Sequence, residues 1–479
     1  MALRPNQRCS PSPTTAPATT CKSVSATPWF SRLPWSPRSC SLRSLRGSDR
    51  TRTRDALARS PSLGNSTEGR PRHCGTAPYD GTVRVLIVPE RFTDLLTAGQ
   101  AAQAIADGWS RGAPHDEIEM LALGDGGPGL LDVLAAGLAT SAGATDTELL
   151  TVPDPWGRPT PVELLLADHR GQRTAYLEAA QVCGPQTRHA RDSAGAASSF
   201  GVGAALVAAL DAGAERIVVG LEGATAPDAG FGLLAALGAG PVECLGRGAL
   251  GLGDLTGDEL SGLESAVDRL AQARLIGLGE LRQALLGLGG VAAGLTAALG
   301  AEPSEAQAIE GALGHGVDVL RRLRPEPVDL ISGTPRRLDR LPGVGAGAGL
   351  GLAFAVLGAD LADGAEAVAV ELGLDQALSR TDLLVTGTGV LGWDSLRGSP
   401  VTVAAAAAQR HGIPVVVLAG QLGAGRRETM AAGINGTYAA CSSLAEWPVF
   451  AAAPAGSLAT RAAAVARTWS PGSRTDGPS

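Results

Sequence analysis

From Val83 onward the chain alternates short apolar runs with segments of helical period. VRVLIV at 83–88 is nearly continuous in apolar residues, as expected of a strand buried on both faces of a parallel sheet. RIVVG at 216–220, DLLVT at 382–386 and IPVVVLAG at 413–420 read the same way, and 118–123 predicts another strand. Ala101, Ile105 and Trp109 recur at helical spacing, which predicts a helix from about Ala98 to Arg111 capped by Thr97. Further helices are expected at 130–139, 200–212, 231–238, 366–379, 400–410 and 453–469. Residues 148–178 alternate more and predict short strands near 148–152, 161–168 and 173–178 in a mixed sheet. The Leu/Ala-rich stretch 255–325 reads as mostly helical, with a break at Gly287, Gly289 and Gly290. The run 343–359 opens as a glycine loop and continues as a buried helix. Strand, loop and helix in this rhythm make an α/β fold.

Residues 1–80 break the pattern. They are Pro, Ser, Thr and Arg without periodicity, and carry about +9 (13 basic against 4 acidic residues), which leaves about −16 for the rest. Three readings of this leader stay open: a start placed upstream of a true start near Val83, an unstructured tail, or a targeting segment. A net charge of −7 does not suggest a nucleic-acid partner. No clean apolar span of about 18 residues is evident, so no membrane helix is expected. Past the leader only Cys183, Cys244 and Cys441 remain. They are far apart and without a CxxC or Cys/His cluster, so neither a zinc site nor a disulfide framework is expected, and a cytoplasmic setting is the default. Lys22 is the only lysine in the chain, and it lies in the leader.

Ligands of open α/β sheets sit beyond the carboxyl ends of strands. The loops after 83–88, 216–220 and 382–386 are therefore the places to look, and each holds small or acidic residues. None contains GxxxxGK[ST]. Asp125 in DGGPG stands just before a helix, where a carboxylate serves as ligand or as cap. Gly345, Gly347 and Gly349 form a GxGxG string without a clear strand before it. His115, His169, His189, His315 and His411 share no motif, and His411 suits a helix C-cap.

In order, VRVLIVPERFTDLLTAGQAAQAIADGWSRG, LALGDGGPGLLDVL, YLEAAQVCG, FGVGAALVAALDAGAERIVVGLEGATAPDAGFGLLAALGA and the run from GVGAGAGLG to GWDSLRG resemble the bacterial glycerate kinase family over roughly 83–465. That resemblance implies a two-domain α/β fold: an open parallel-sheet domain and a second, mixed α/β domain. One lobe is expected to comprise 83–147 with about 325–465, the other about 148–324, followed by a flexible tail at 466–479. It implies ATP-dependent phosphorylation of D-glycerate with Mg²⁺, a small-molecule substrate and no membrane or nucleic-acid partner, and it leaves a homo-oligomer open.

Carried over by position, the resemblance implies catalytic roles for Arg91, Asp125 and Asp228, with Asp125 and Asp228 holding the metal. It implies nucleotide contacts from Gly126, Gly127, Gly223, Gly387, Gly389, Asp394 and Ser395, and substrate contacts from Arg91 and Glu178. The family's PDKFKGSL is here Pro89 to Leu96, with both lysines and the serine replaced. Its third loop acquires Glu222, its aspartate–asparagine step becomes Arg282 and Gln283, its QKG becomes Ala298-Leu299-Gly300, and its fourth-loop lysine is Ser399. Arg91 and Arg397 remain as candidate cations. The alternative expectation is a catalytically impaired homologue that binds a small ligand or a partner protein.

Overall fold

The computed structural model describes residues 82–139, 145–299, 301–324, 328, 333 and 335–470. The leader up to residue 81, Gly300 of the replaced QKG step and the last nine residues of the expected tail lie outside the described residues. The chain lays down β1 (Arg84–Pro89) and β2 (Glu117–Met120), then β3 (Thr145–Pro153), β4 (Pro159–His169), β5 (Gln172–Glu178), β6 (Arg216–Gly220), β7 (Arg274–Gly279) and β8 (Asp360–Asp363). It ends with β9 (Leu383–Leu391), β10 (Val415–Leu422) and β11 (Gly436–Ala439). One sheet is parallel throughout, in the order β11-β10-β9-β1-β2. The other has the order β3-β4-β5-β6-β7-β8, antiparallel through β3–β5 and parallel from β5 to β8. The expected α/β class, with one parallel and one mixed sheet, is thus present.

The helices used below are α1 (Ala98–Gly112), α2 (Leu130–Ala139), α3 (Phe200–Asp211), α4 (Phe231–Ala236), α5 (Gly364–Glu371), α6 (Pro400–Arg410) and α7 (Pro454–Trp469). Alternation along β1 shows why its apolar run is continuous. Val85 and Ile87 pack with Ile105 and Trp109 of α1 and Leu458 and Ala462 of α7. Leu86 and Val88 face the opposite way, with Val401 and Ala404 of α6. α1 and α7 approach so closely that a Cβ on Gly108 or Gly112 would strike the Ala459 or Ala463 carbonyl. Leu130, Leu134 and Leu138 of α2 and Val368 of α5 share one core cluster with strands of both sheets, which joins the sheets through these helices.

Several expectations are corrected. β7 lies within the stretch read as helical, and β8 and β11 were not foreseen; β8 and β11 are only four residues long. β8 pairs with β7, so Asp360–Asp363 belongs to the mixed sheet. The helix expected over 366–379 is two, Gly364–Glu371 and Leu374–Leu378, separated at Gly373 with φ +72°. The expected tail from 466 is helical through Trp469. Ala194–Asp211 is long and apolar enough to span a membrane by composition. In this fold its Val202, Ala205, Leu206 and Ala209 lie in the core under the mixed sheet.

Candidate active site

β1 connects through α1 to β2 on one side, while β9, β10 and β11 extend the sheet on the other. The order therefore reverses between β1 and β9, and the crevice beyond their carboxyl ends is where an open α/β sheet binds its ligand. Glu90 lies in that crevice, its N–H donating to the Gly387 carbonyl at 2.9 Å. Thr388 of β9 and Val401 in the first turn of α6 lie near its carboxylate. Burial pushes this carboxyl up to about 7, and the Asp125 charge adds to the rise, while Thr388, Val401 and the Arg91 charge oppose it.

The loop after Glu90 is a tight turn. Phe92 is fully buried, and its N–H donates to the Leu96 carbonyl at 2.9 Å. Thr93 sits at φ +50°. Thr97 then opens α1 with a reciprocal capping box to Gln100. This turn lies flat against β9. A Cβ on Gly389 would be 2.8 Å from Thr93 Cγ2, and one on Gly387 would be 3.0 Å from Phe92 Cζ. Gly387 and Gly389, expected in a loop, thus lie within β9, where the absence of a side chain admits the turn after β1.

Beyond β2, Asp125 accepts from the Gly127 N–H at 3.0 Å. Its loop threads between the sheets. A Cβ on Gly126 would be 2.9 Å from the Leu278 carbonyl, and one on Gly364 would strike the Asp125 carbonyl. Gly223, at φ +81°, packs against Pro128. Glu90, Arg91 and Asp125 line one cavity of about 670 Å³, together with Asp94, Asp132, Thr97 and Gln100. Arg91 is the only cation in that lining; it pairs with Asp94 at 2.5 Å and donates to the Thr93 carbonyl at 2.9 Å.

The other expected site residues are placed elsewhere. Asp228 is fully buried, and accepts from Ser199 N (2.7 Å), Ser199 Oγ (3.0 Å), Gly230 N (3.0 Å) and Gly232 N (3.1 Å). Burial raises its carboxyl while these donors oppose the rise. These four donors tie α3 to α4 and set Asp228 apart from the cavity that Arg91 and Asp125 line. Glu178 spends both oxygens on the Gly129 N–H, at 3.1 and 3.2 Å, which anchors the start of α2. Burial raises its carboxyl too. Ser395 donates to the Val390 carbonyl at 2.8 Å and closes its own turn, beside an exposed Asp394. Glu222 accepts from the Glu280 N–H at 2.7 Å, and burial raises it, with Asp125, Glu280 and Asp363 adding. Arg282 donates to the Arg397 carbonyl at 2.8 Å.

Of the expected residues, then, Arg91 and Asp125 share the cavity, with Gly126 and Gly127 in the adjoining loop. Glu90, which lines the same cavity, was not among the expected residues. The available signal was an acidic residue immediately beyond a buried parallel strand.

Residues 85–470 match the sequence profile of the glycerate kinase family. The chain is 34% identical over 358 residues to an uncharacterized protein of Mycobacterium tuberculosis (strain CDC 1551 / Oshkosh), covering 74% of this chain and 82% of the relative. It is 27% identical over 361 residues to a glycerate kinase of Halalkalibacterium halodurans (74% and 90% covered) and 27% identical over 354 residues to the glycerate 2-kinase of Escherichia coli K12 (71% and 86%). The crystal structure of "putative glycerate kinase 2" from Salmonella typhimurium LT2 superposes with a TM-score of 0.63 at 25% identity, covering 82% of this chain and all of that one. The chain belongs to the glycerate kinase family.

Proposed function

From that membership we propose that the chain is an ATP-dependent kinase that phosphorylates a hydroxyl of D-glycerate. The observation that carries the reading is the meeting of Glu90, Arg91 and Asp125 around one cavity beyond the carboxyl ends of β1 and β2. Phosphoryl transfer is mostly positioning and charge stabilisation. Arg91 supplies a planar fork of donors suited to a phosphate or to the glycerate carboxylate.

The described residues do not assemble a resident magnesium site. Among the described residues no group of three His, Cys, Asp or Glu side chains could hold an ion, and Asp228 is closed by its four donors. Magnesium belongs to this reading as part of the Mg–ATP substrate.

A coupled ADP-release assay on the full chain with D-glycerate and Mg–ATP tests the proposal. Turnover in the range of about 1–100 per second is expected of a working kinase. Arg91→Ala should then lower kcat/KM about 100-fold or more, as removal of one stabilising group does, and Arg91→Lys should recover part of it. An unaffected Arg91→Ala enzyme would remove Arg91 from the site.

One observation favours a second reading, an impaired homologue that binds a small ligand or partner protein. The cavity sets Glu90, Asp94, Asp125 and Asp132 against Arg91 alone, and Arg91 is already paired with Asp94. Absence of turnover together with saturable calorimetric binding of ATP or glycerate would select it.

A further inference from the structure

Resting on the kinase reading, we propose that Glu90 is the catalytic base: its carboxylate takes the proton of the substrate hydroxyl as that oxygen attacks the γ-phosphorus of ATP. The bond formed joins the substrate oxygen to the γ-phosphorus. The bond broken joins that phosphorus to the β–γ bridging oxygen, which keeps the electron pair and leaves as ADP. The proton ends on Glu90.

Four other carboxylates around the loops are committed elsewhere to different degrees. Asp228 is enclosed by Ser199, Gly230 and Gly232. Glu178 holds Gly129 with both oxygens. Glu222 holds the Glu280 N–H and does not line the cavity. Asp125 does line it, with one oxygen turned onto Gly127 of its own loop, and the pH test below separates it from Glu90.

Glu90 lines the cavity at the carboxyl end of β1, beside the cation of Arg91. Thr388 and Val401 lie near its carboxylate, which has lone pairs for about four donors. Acceptor capacity therefore remains for a hydroxyl. The charged groups that line the cavity with it are Arg91 and Asp94 from its own loop, Asp125 from the loop before α2 and Asp132 from α2, of which Asp125 and Arg91 act on its charge. β9 and α6 bring only the neutral Thr388 and the Pro400–Val401 turn. Burial in this setting raises the carboxyl to about 7, where a general base is most effective near neutral pH.

The test is the pH dependence of glycerate phosphorylation by the full chain from about pH 5 to 9. For the native protein kcat/KM should rise along a limb centred near pH 7. Glu90→Gln keeps the shape of the side chain and removes its charge, so its melting temperature should stay close to native. Its kcat should fall about 100- to 10,000-fold with little change in the KM for ATP, and the limb should vanish. Glu90→Asp should keep the limb, displaced, at a reduced rate. A limb that survives in Glu90→Gln, or a loss confined to KM, overturns the base while leaving the kinase reading intact. If Glu90→Gln does not fold, an unmoved limb in Glu90→Asp overturns the base. A native protein without turnover at any pH overturns the kinase reading and the base with it.

Discussion

Asp228→Ala is expected to destabilise the folded chain by about 4 kcal/mol, whether or not nucleotide and magnesium are present. The substitution strands the N–H groups of Ser199, Gly230 and Gly232 and removes the partner of the Ser199 hydroxyl, all in a site with no solvent access. Each stranded donor costs about 1–3 kcal/mol, and the Ser199 hydroxyl also accepts from the Leu233 N–H at 3.0 Å, so the disturbance reaches α4 directly. Asp228→Asn keeps the shape but turns an NH₂ group toward donors, and should also destabilise. Urea or thermal unfolding measures both. A ligand role makes the opposite forecast, in which Asp228→Asn folds with native stability and loses activity with an altered magnesium dependence. That result would return Asp228 to the active site.

The same residue shows where sequence reasoning reaches its limit. An aspartate in a glycine-rich loop beyond a strand has one appearance in sequence, whether it meets a metal or four backbone and hydroxyl donors. Gly387 and Gly389 carry the same ambiguity. A TGTG run after DLLVT reads as the end of a strand and the start of a phosphate loop, but the strand continues to Leu391 because Phe92 and Thr93 occupy the space a Cβ would take. Contacts between residues almost 300 positions apart leave no local pattern.

The fold was far more legible. VRVLIV and RIVVG announce central parallel strands, because burial on both faces removes polar positions. RLIGLG at β7 obeys the same rule but lies in a Leu/Ala-rich stretch, where a buried strand and a buried helix share a composition. The four-residue strands β8 and β11 are too short for any period to show. Resemblance of ordered loops supplied the family and the placing of Arg91 and Asp125.

Arg216→Met should cost about 3–5 kcal/mol of stability, the usual consequence of leaving half of a buried ion pair. Arg216 holds Glu371 through two hydrogen bonds of 2.6 and 3.0 Å, and the Tyr176 hydroxyl donates to the same carboxylate. The cluster lies between the mixed sheet and α5, away from the β1–β9 crevice, so the effect is on folding. Arg216→Met combined with Glu371→Met removes both charges and should recover much of the loss. The dependence on pH has a definite sign. Burial raises the Glu371 carboxyl, but the Arg216 and Tyr176 hydrogen bonds outweigh it and hold the group below its ordinary 4.5. Glu371 therefore adds stability above about pH 4.5 that is lost as the pH falls through its folded value. Burial also holds the neighbouring His169 below 6.5, against the pull of Glu371. Unfolded chains take up that proton first, so native stability already declines below about pH 6.5. Without Arg216, burial governs Glu371 and its carboxyl moves above the ordinary value, so the variant no longer loses the Glu371 contribution on acidification. The stability gap between native protein and Arg216→Met should narrow as the pH drops toward 4. A gap that stays constant or widens would show that Glu371 is not held ionised by Arg216.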